Sequence, residues 1–463
     1  MADEKEFEDI PGQIHELNTL MKKLDRLAGG GVEEESREDE TVSPGDLSDE
    51  GPGGDSGPPY AEEDGYHPSG DTKPIWEHVA EEAALPKPPT KRVKRPRPGS
   101  ARKRPRVRGA SAHAVPARPG PGESPAEAQE MAGAAALPRD LSPDQIARYV
   151  EMVEKVSNLI LEEVGKTVLG KEYVLKMVMT SILSDGHILF EDYPGLAKTL
   201  LANTFARALG CLFRRSQFTP DLLPSDITGT FIFDERESDF KFRQGPVFTN
   251  ILLADEINRS PPKTQAALLE AMQERQVTLE GETMPLPRPF IVLATQNPIE
   301  YEGTYSLPEA QLDRFLIRMG VGYPSESVER RILKERMERR QDDTEVRRVA
   351  SPETIIKMQR IVELVYVSDP VIEYIVSIVR ATRDDPRTMV GGSPRGSLAI
   401  FKLARAWAAL EGRDFVIPDD VKEVAIHALN HRLILNPEPR IMGVKPEDVI
   451  QDIIAEIPVP VVE

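Results

Sequence analysis

Three apolar runs in this chain each end in polar residues, and this pattern restricts the fold more than any other feature. The runs cover residues 186–190, 251–254 and 290–294, and segments with helical spacing separate them. Short apolar runs that alternate with helices are typical of a parallel sheet buried on both faces. Ligands of such sheets bind at the carboxyl ends of the strands. We therefore predict an α/β domain whose site lies where the polar residues follow the runs.

The first polar segment, from Glu191 to Thr199, has the context of a phosphate-binding loop, because a predicted strand enters it and a predicted helix leaves it. Loop amides and a helix N-terminus bind anions, Lys198 adds a point charge, and the Thr199 hydroxyl suits a metal ion. The strict pattern G-x-x-x-x-G-K-[ST] requires glycine where this chain has Asp192 and Ala197. The alternative interpretation is an ordinary strand-to-helix turn with Pro-Gly at its corner. The predicted nucleotide-contacting residues are Asp192, Tyr193, Pro194, Gly195, Leu196, Ala197, Lys198, Thr199 and Leu200.

Two adjacent carboxylates and one amide follow the other two apolar runs. Asp255 and Glu256 come after the second run, and Asn297 comes shortly after the third. Hydrolysis of a nucleoside triphosphate needs a phosphate cradle, Mg²⁺ and an oriented water. Asp255 and Thr199 would hold the ion, Glu256 would polarise the water, and Asn297 would hydrogen-bond that water or the terminal phosphate. Taken singly, paired acids at a strand end are common by chance and Asn-Pro is a turn signal, so the assignment depends on the three sites together.

Composition restricts the class of protein. A length of 463 residues allows two or three domains, and a net charge of −19 argues against a general nucleic-acid-binding surface. Apolar runs stay well short of the roughly 20 residues that span a bilayer. The acidic N-terminus lacks the apolar core of a secretory signal, and the single cysteine, Cys211, excludes an intrachain disulfide. We expect a soluble, cytoplasmic protein with no membrane insertion.

Residues 1–140 are predicted to form a long, disordered, low-complexity tail, since they are rich in Pro, Gly, Ser and acidic residues. Apolar residues at helical spacing over 14–27, and a second patch over 75–80, predict either transient helix or a docking peptide that folds on a partner. The basic run from Lys91 to Arg108 is interpreted either as a solvated linker or as an arm for nucleic acid. It lacks interleaved aromatic residues for base stacking, which favours the linker.

Residues 141–324 are predicted to form the α/β domain, and residues 325–463 a second, helical domain. Aromatic residues on both sides of a charged turn predict a hairpin over 228–243, either packed on its own sheet or projecting toward a substrate. Alternating prolines from Ile457 to Glu463 predict an extended docked segment or an edge strand. Helices are predicted from about residue 145, with Ser142 or Asp144 as its cap, and over 168–182, 328–337, 351–365, 370–382, 397–411 and 418–430.

Residues 141–463 resemble the MoxR-type ATPases, a branch of the AAA+ superfamily, and the tail takes no part in the resemblance. This branch often has Ala-Lys-Thr where the strict loop has Gly-Lys-Thr, so Ala197 fits it. The resemblance implies an AAA+ P-loop αβα core with a parallel sheet, followed by a C-terminal helical lid domain. Five runs in the same order carry it, at residues 217–229, 245–248, 253–259, 294–298 and 303–315.

The same resemblance implies a role for each matching position of the site. Lys198 and Thr199 are similar to the Walker A pair, and Asp255 and Glu256 to the Walker B pair. Asn297 is similar to the polar sensor at the tip of the third strand. ATP and Mg²⁺ are the implied cofactors.

The resemblance also implies roles for two arginines. Arg314 is similar to an arginine finger that reaches the nucleotide of a neighbouring subunit. Arg395, in the segment 391–395, resembles a second sensor on the lid that touches the phosphates and couples hydrolysis to lid movement. By the same analogy, residues 168–170 would lie near the adenine.

At the level of function, the resemblance implies a homo-oligomeric ring, expected to be a hexamer, that remodels, assembles or activates a partner protein. Proteins of this type are associated with partners that carry von Willebrand A domains. One alternative is a nucleic-acid-associated motor that uses the run from Lys91 to Arg108. Another is a scaffold that binds ATP without turnover, which the intact Glu256 disfavours.

Overall fold

The computed structural model describes residues 141–297, 305–341 and 344–460, and of the first 140 residues only Gly12. The predictions for the tail, including the basic run from Lys91 to Arg108, lie outside the described residues, as do positions 461–463. The described residues from 141 onward belong to one compact unit.

The first part of this unit alternates helices and strands. In chain order it contains α1 (Pro143–Gly165), α2 (Glu172–Leu183), β1 (Ile188–Glu191), α3 (Lys198–Ala208), β2 (Phe213–Gln217), α4 (Pro224–Thr228), β3 (Gly229–Asp234), β4 (Asp239–Gln244), β5 (Ile251–Asp255), a 3₁₀ turn (Ile257–Arg259), α5 (Pro262–Glu274), β6 (Gln276–Leu279), β7 (Glu282–Pro285), β8 (Ile291–Gln296), α6 (Glu309–Leu312) and β9 (Ile317–Met319).

The second part is mainly helical. It contains α7 (Glu326–Arg339), α8 (Pro352–Val362), α9 (Asp369–Asp384), β10 (Thr388–Val390), α10 (Pro394–Leu410), α11 (Pro418–Leu429), β11 (Ile434–Leu435), α12 (Pro437–Ile441) and α13 (Pro446–Glu456). The predicted helical domain is therefore present, with one short antiparallel pair, β10 with β11, that the sequence did not predict.

A five-stranded parallel sheet in the order β2-β5-β8-β1-β9 forms the centre of the first part. The three apolar runs form its three middle strands, β5, β8 and β1, which confirms the predicted α/β fold. Alternate residues of each strand point to opposite faces, so Leu189 and Leu252 belong to one hydrophobic cluster with α5. Ile188 and Phe190 belong to a second cluster on the other face, together with α1, α2 and α3.

That second cluster continues into the helical part of the chain. It includes buried residues of α8, α9, α10, α11 and α13. Helix α10 packs against α1 and α2, and α11 packs against β9. A polar contact joins the same two parts, since Arg318 on β9 donates to the Asn430 carbonyl oxygen at 2.9 Å. The same guanidinium forms an ion pair with Glu191 of β1 at 2.8 Å. One continuous apolar interior therefore joins the sheet-containing part to the helical part, and its burial is the main source of stability.

Element boundaries differ from the predictions where glycines or caps intervene. The helix predicted over 168–182 begins at Glu172, because Gly170 has φ +67°, a left-handed conformation that cannot continue a helix. The predicted cap of α1 is confirmed, with the Ser142 hydroxyl accepting from the Gln145 amide. The predicted hairpin is confirmed as β3 with β4, and the rings of Phe233 and Phe240 lie 5.3 Å apart on it. Up to Pro460, the last described residue, the C-terminal segment forms no strand.

A buried histidine just before β1 connects strand β8 to helix α5. His187 Nδ1 accepts a hydrogen bond from the Val292 amide at 3.0 Å, so Nε2 carries the proton and donates to the Met272 carbonyl oxygen at 3.1 Å. Burial lowers the pKa of His187 to about 4. The imidazole ring is therefore neutral in the folded protein. As the pH falls, His187 takes up a proton at a higher pH in the unfolded chain than in the folded one.

We expect this histidine to weaken the fold in mild acid. Its folded pKa lies below the unfolded value, so its contribution is complete above about pH 6.5 and is lost as the pH falls toward 4, a loss of about 3 kcal/mol. A His187→Gln variant should be less stable at pH 7.5 but should lose less stability between pH 6.5 and 4.5. Denaturant unfolding at these pH values measures both quantities. Parallel losses in variant and wild type would contradict the assignment.

Candidate nucleotide-binding site

A concavity of about 480 Å³ lies at the carboxyl ends of β1, β5 and β8, where the sequence predicted a shared site. Eight of the nine residues predicted to contact nucleotide line it, and Asp255, Glu256 and Asn297 line it as well. Tyr193 is the exception, because its exposed ring faces Tyr323 at 6.5 Å instead. The structure thus brings the loop and the ends of three strands to one place.

The loop between β1 and α3 leaves its backbone open to a ligand. Gly195 has φ +84°, and a side chain there would meet nothing within 4 Å. Ala197 has φ +56° and immediately precedes α3, whose first turn receives no side-chain cap. A left-handed conformation costs an alanine about 1–2 kcal/mol, and the first amides of a helix lack intrahelical partners. Strained backbone beside unpaired amides is the arrangement that binds phosphate at a helix N-terminus.

The side chain of Asp192 fastens this loop to the segment after β9. Its Oδ2 accepts from the amides of Val321 at 2.9 Å and Gly322 at 2.6 Å, and its Oδ1 accepts from the Tyr193 amide at 2.8 Å. Lys198 Nζ donates to the Asp192 carbonyl oxygen at 2.6 Å. Burial lowers the pKa of Lys198, and the carboxylates around it oppose that shift. The lysine is therefore held inside the loop, where it is placed for a phosphate.

We expect Asp192→Ala to loosen the loop. The substitution leaves the Val321 and Gly322 amides without an acceptor, and a buried unpaired donor costs about 1–3 kcal/mol. The melting temperature should fall and nucleotide should bind more weakly. Thermal unfolding and titration with nucleotide measure the two effects. Asp192→Asn, which keeps one acceptor oxygen, should lie between the variant and the wild type; an alanine variant equal to wild type would contradict this role.

The two acidic residues are held by a hydrogen-bond network that crosses three strands. Asp255 Oδ1 accepts from the Thr295 hydroxyl at 2.5 Å, and Asp255 Oδ2 accepts from Arg215 Nη2 at 2.6 Å. Glu256 has φ +56° and donates its amide to Thr295 Oγ1 at 2.8 Å. Its Oε2 accepts from Gln217 Nε2 at 2.9 Å.

Asn297 lies at the tip of β8, as predicted, and its carbonyl oxygen accepts from Asn258 at 3.3 Å. Arg215 and Gln217 also line the site but were not predicted, and Thr295 and Gln296, from the polar end of the third apolar run, line it without having been given a role. Gln217 opens the first family-like run, which was the available signal for it. Strand β2, which carries Arg215, was not predicted, so nothing in the sequence placed that residue beside Asp255.

The two predicted arginines lie elsewhere. Arg314 and Arg395 line a second concavity, of about 280 Å³, together with residues that directly precede β1 and β9. Because the strands are parallel, this concavity is at the opposite edge of the sheet from the loop. Arg395 Nη1 lies 3.5 Å from Asp313 Oδ2, at this edge and away from the loop of its own chain, and its contact with phosphates stays a prediction. No residue in the described part of the chain pairs with the Arg314 guanidinium.

Arg432 holds the backbone of this second concavity in place. Its Nε lies 2.7 Å from Asp313 Oδ1, and its Nη2 donates to the Phe315 carbonyl oxygen at 2.8 Å. Burial lowers the pKa of Arg432, and Asp313 opposes that shift. The segment that carries Arg314 is therefore anchored to α11 and the residues that follow it.

The residues that line the concavity can hold Mg²⁺ only if phosphate oxygens supply further ligands. Within the described ranges no group of three or more His, Cys, Asp or Glu could hold a metal ion. Thr199, in the first turn of α3, and Asp255 both line the concavity, and hard oxygen donors of this kind suit Mg²⁺. The Mg²⁺ that serves phosphoryl transfer is usually held by one or two such groups together with substrate phosphates.

Comparison with known proteins decides the family. Residues 187–317 match the ATPase family associated with various cellular activities (AAA), and residues 380–453 match the AAA lid domain. The protein YeaC of Bacillus subtilis, named as uncharacterized, is 45% identical over 313 residues, which cover 68% of this chain and 98% of YeaC. Chaperone MoxR1 of Mycobacterium tuberculosis is 44% identical over 307 residues, which cover 64% of this chain and 81% of MoxR1. The chain belongs to the MoxR family of AAA+ ATPases.

A solved structure supports the fold of this MoxR-family protein. A crystal structure from Cytophaga hutchinsonii, assigned as an ATPase, has a TM-score of 0.64 and 40% sequence identity. The match covers 68% of this chain and 98% of that one. The predicted AAA+ core with a C-terminal lid is thus confirmed. Of the helices in the described segments, none has the length and apolar character needed to cross a membrane.

Proposed function

We propose that this MoxR-family protein hydrolyses ATP with Mg²⁺. The observation that carries the proposal is the convergence of Lys198, Thr199, Asp255, Glu256 and Asn297 on one concavity at the carboxyl edge of the sheet. Lys198 and the α3 amides would hold the phosphates, and Thr199 and Asp255 would hold Mg²⁺, which neutralises charge during phosphoryl transfer. Glu256 would accept a proton from the attacking water, and Asn297 would orient that water.

We propose further that the protein works as a ring, expected to be a hexamer. Arg314 and Arg395 lie at the opposite edge of the sheet from the loop, so they do not reach the nucleotide of their own chain. A head-to-tail contact would place this edge against the site of the next subunit, and repeated head-to-tail contacts form a ring when the rotation between subunits closes. In this arrangement Arg314 would act as the arginine finger, and Arg395 as a sensor of the neighbour's phosphates.

The work of the ring is proposed to be chaperone-like remodelling or activation of a partner protein in the cytoplasm. One relative is named a chaperone, MoxR1 of Mycobacterium tuberculosis. Ile232, Phe233 and Phe240 are exposed on the hairpin of β3 and β4, which gives the subunit an apolar surface for a polypeptide. A partner with a von Willebrand A domain remains our expectation from the sequence.

A substitution of the loop lysine tests the central proposal. Lys198→Ala should bind ATP at least about tenfold more weakly and lose Mg²⁺-dependent hydrolysis, because it removes the cation held inside the loop. Titration with a fluorescent nucleotide and phosphate release measure the two effects. Lys422→Ala, a lysine that pairs with Asp419 in the lid, is the matched control and should resemble wild type. Equal binding by Lys198→Ala and wild type would refute the site.

A comparison of the full chain with residues 141–463 tests the oligomeric state and the role of the tail in binding a partner. The shorter chain is close in length to the match with YeaC, which spans 313 residues and 98% of that protein. Sedimentation with ATP and Mg²⁺ should show the same ring for both chains. A partner that co-purifies with the full chain alone would assign recruitment to the tail, whereas a monomer under all nucleotide conditions would contradict the ring.

A further inference from the structure

The metal-binding carboxylate of the proposed site is already paired with a cation. Asp255 Oδ2 accepts from Arg215 Nη2 at 2.6 Å and from Arg215 Nε at 3.2 Å. The other oxygen, Oδ1, accepts from the Thr295 hydroxyl at 2.5 Å. The Asp255 side chain is only 17% exposed, so both carboxylate oxygens are engaged in a mostly buried place. Charge-assisted hydrogen bonds of this length are among the strongest that proteins form.

A guanidinium and a divalent cation compete for such an oxygen. Two positive groups within about 4 Å repel each other by several kcal/mol at the dielectric of a protein surface. Mg²⁺ held at Asp255, directly or through one of its waters, therefore opposes the Arg215 contact. We infer that Arg215 is the counter-ion of Asp255 in the metal-free site and that Mg²⁺ displaces it when the metal–nucleotide complex binds. This inference rests on the proposed function.

The position of Arg215 suits an exchange of this kind. It lies on β2, one of the two edge strands of the sheet, and its side chain is 48% exposed, so it has room to leave. Its other contact is with the Gln217 side chain, at 2.8 Å. Because nearly half of the Arg215 side chain is already exposed, the displaced guanidinium can turn to solvent and needs no new partner in the site. Arg215 would then neutralise Asp255 before the metal arrives and be hydrated in solvent afterwards.

The exchange predicts that the effect of Arg215 on nucleotide affinity depends on whether Mg²⁺ is present. Without Mg²⁺, Arg215 shields the entering phosphates from the negative charge of Asp255. With Mg²⁺ bound, the metal ion shields the phosphates from Asp255, so the arginine is not required for that purpose. Removing the guanidinium should therefore weaken binding in EDTA, and in Mg²⁺ should leave it unchanged or tighten it. The dissociation constant in EDTA divided by that in Mg²⁺ is the quantity to measure.

The experiment uses the full chain and a fluorescent, slowly hydrolysed ATP analogue. For Arg215→Gln this ratio should rise about tenfold or more over wild type. Arg214→Gln is the matched control, because its guanidinium donates to the Gly245 carbonyl oxygen and does not line the concavity. Its ratio should equal that of wild type. If Arg215→Gln fails to fold, Arg215→Met keeps the apolar stem and should give the same rise.

Other results would overturn the inference. Equal weakening in both buffers would leave the ratio unchanged and make Arg215 a plain phosphate ligand. A rise that persists when Arg215→Gln is combined with Asp255→Asn would show that Asp255 is not the partner. If wild type binds the analogue in neither buffer, the proposed function fails instead, so the two failures are distinguishable.

Discussion

A Glu256→Gln variant is expected to bind ATP and to hydrolyse it about 10²–10⁴ times more slowly than wild type. The amide keeps the size of the side chain but accepts no proton from water. Glu256 lies in the concavity with its Oε2 2.9 Å from Gln217 Nε2 and 3.1 Å from Arg259 Nε, contacts that a carboxamide oxygen can also accept. Binding and geometry are therefore kept while the base is lost. Steady-state phosphate release and a nucleotide titration measure the two effects.

The control for this variant is Glu270→Gln. Glu270 is an exposed carboxylate of α5 that does not line the concavity, so its removal changes charge without touching the site. Its turnover should match wild type. Turnover by Glu256→Gln equal to that of the parent would mean that another group activates the water, and the proposed mechanism would be wrong.

An Arg314→Ala variant is expected to lose hydrolysis by about 10³–10⁵-fold, the contribution of an arginine finger. Its own loop should still bind nucleotide, because Arg314 lies at the other edge of the sheet and lines a different concavity. Loss of turnover with unchanged affinity is thus the expected pattern. Parallel titration and turnover assays measure it. A loss of affinity equal to the loss of turnover would indicate a structural effect.

Mixed rings test whether Arg314 acts on a neighbour. Subunits with Lys198→Ala bind nucleotide weakly and do not hydrolyse it, but they still carry Arg314, so mixing them with Arg314→Ala subunits should restore part of the activity. Restored activity should depend on the mixing ratio, since only sites between unlike subunits are complete. Arg330→Ala, which removes an exposed arginine of α7, is the matched control and should be active alone. Two inactive variants that stay inactive after mixing would remove the assignment in trans.

The middle of the sheet could be predicted because each of its strands is buried on both faces. Residues 251–254, for example, form β5 and are buried throughout. The edge strands could not: β2 reads Phe-Arg-Arg-Ser-Gln with mixed burial, and β9 has only three residues. Pairing with a neighbour, and not local apolar character, makes them strands.

The residues of the candidate site likewise fall into those that the sequence predicts and those that only tertiary packing brings to the site. Loop residues such as Lys198 are neighbours in sequence, and the polar ends of the central strands follow from a parallel sheet. Arg215 reaches Asp255 only because β2 pairs with β5, which aligns Gln217 with Asp255. The resemblance identified Arg395 as a lid residue, but it did not say at which edge of the sheet that residue lies, since this depends on how α10 packs against α1 and α2. Such tertiary packing leaves no local signal in the sequence.

The apolar interior shared by core and lid makes each subunit stiff. Separating the lid from α1 and α2 by even about 400 Å² of apolar surface would cost about 10 kcal/mol. Lid and core are thus expected to move as one solid body, with Arg395 riding on the face opposite the nucleotide loop. A change in the phosphates bound by one subunit would then tilt the whole adjacent subunit. In the proposed ring, force would be transmitted at the contacts between subunits, and small molecules that bind at those contacts should stop the ring without competing with ATP.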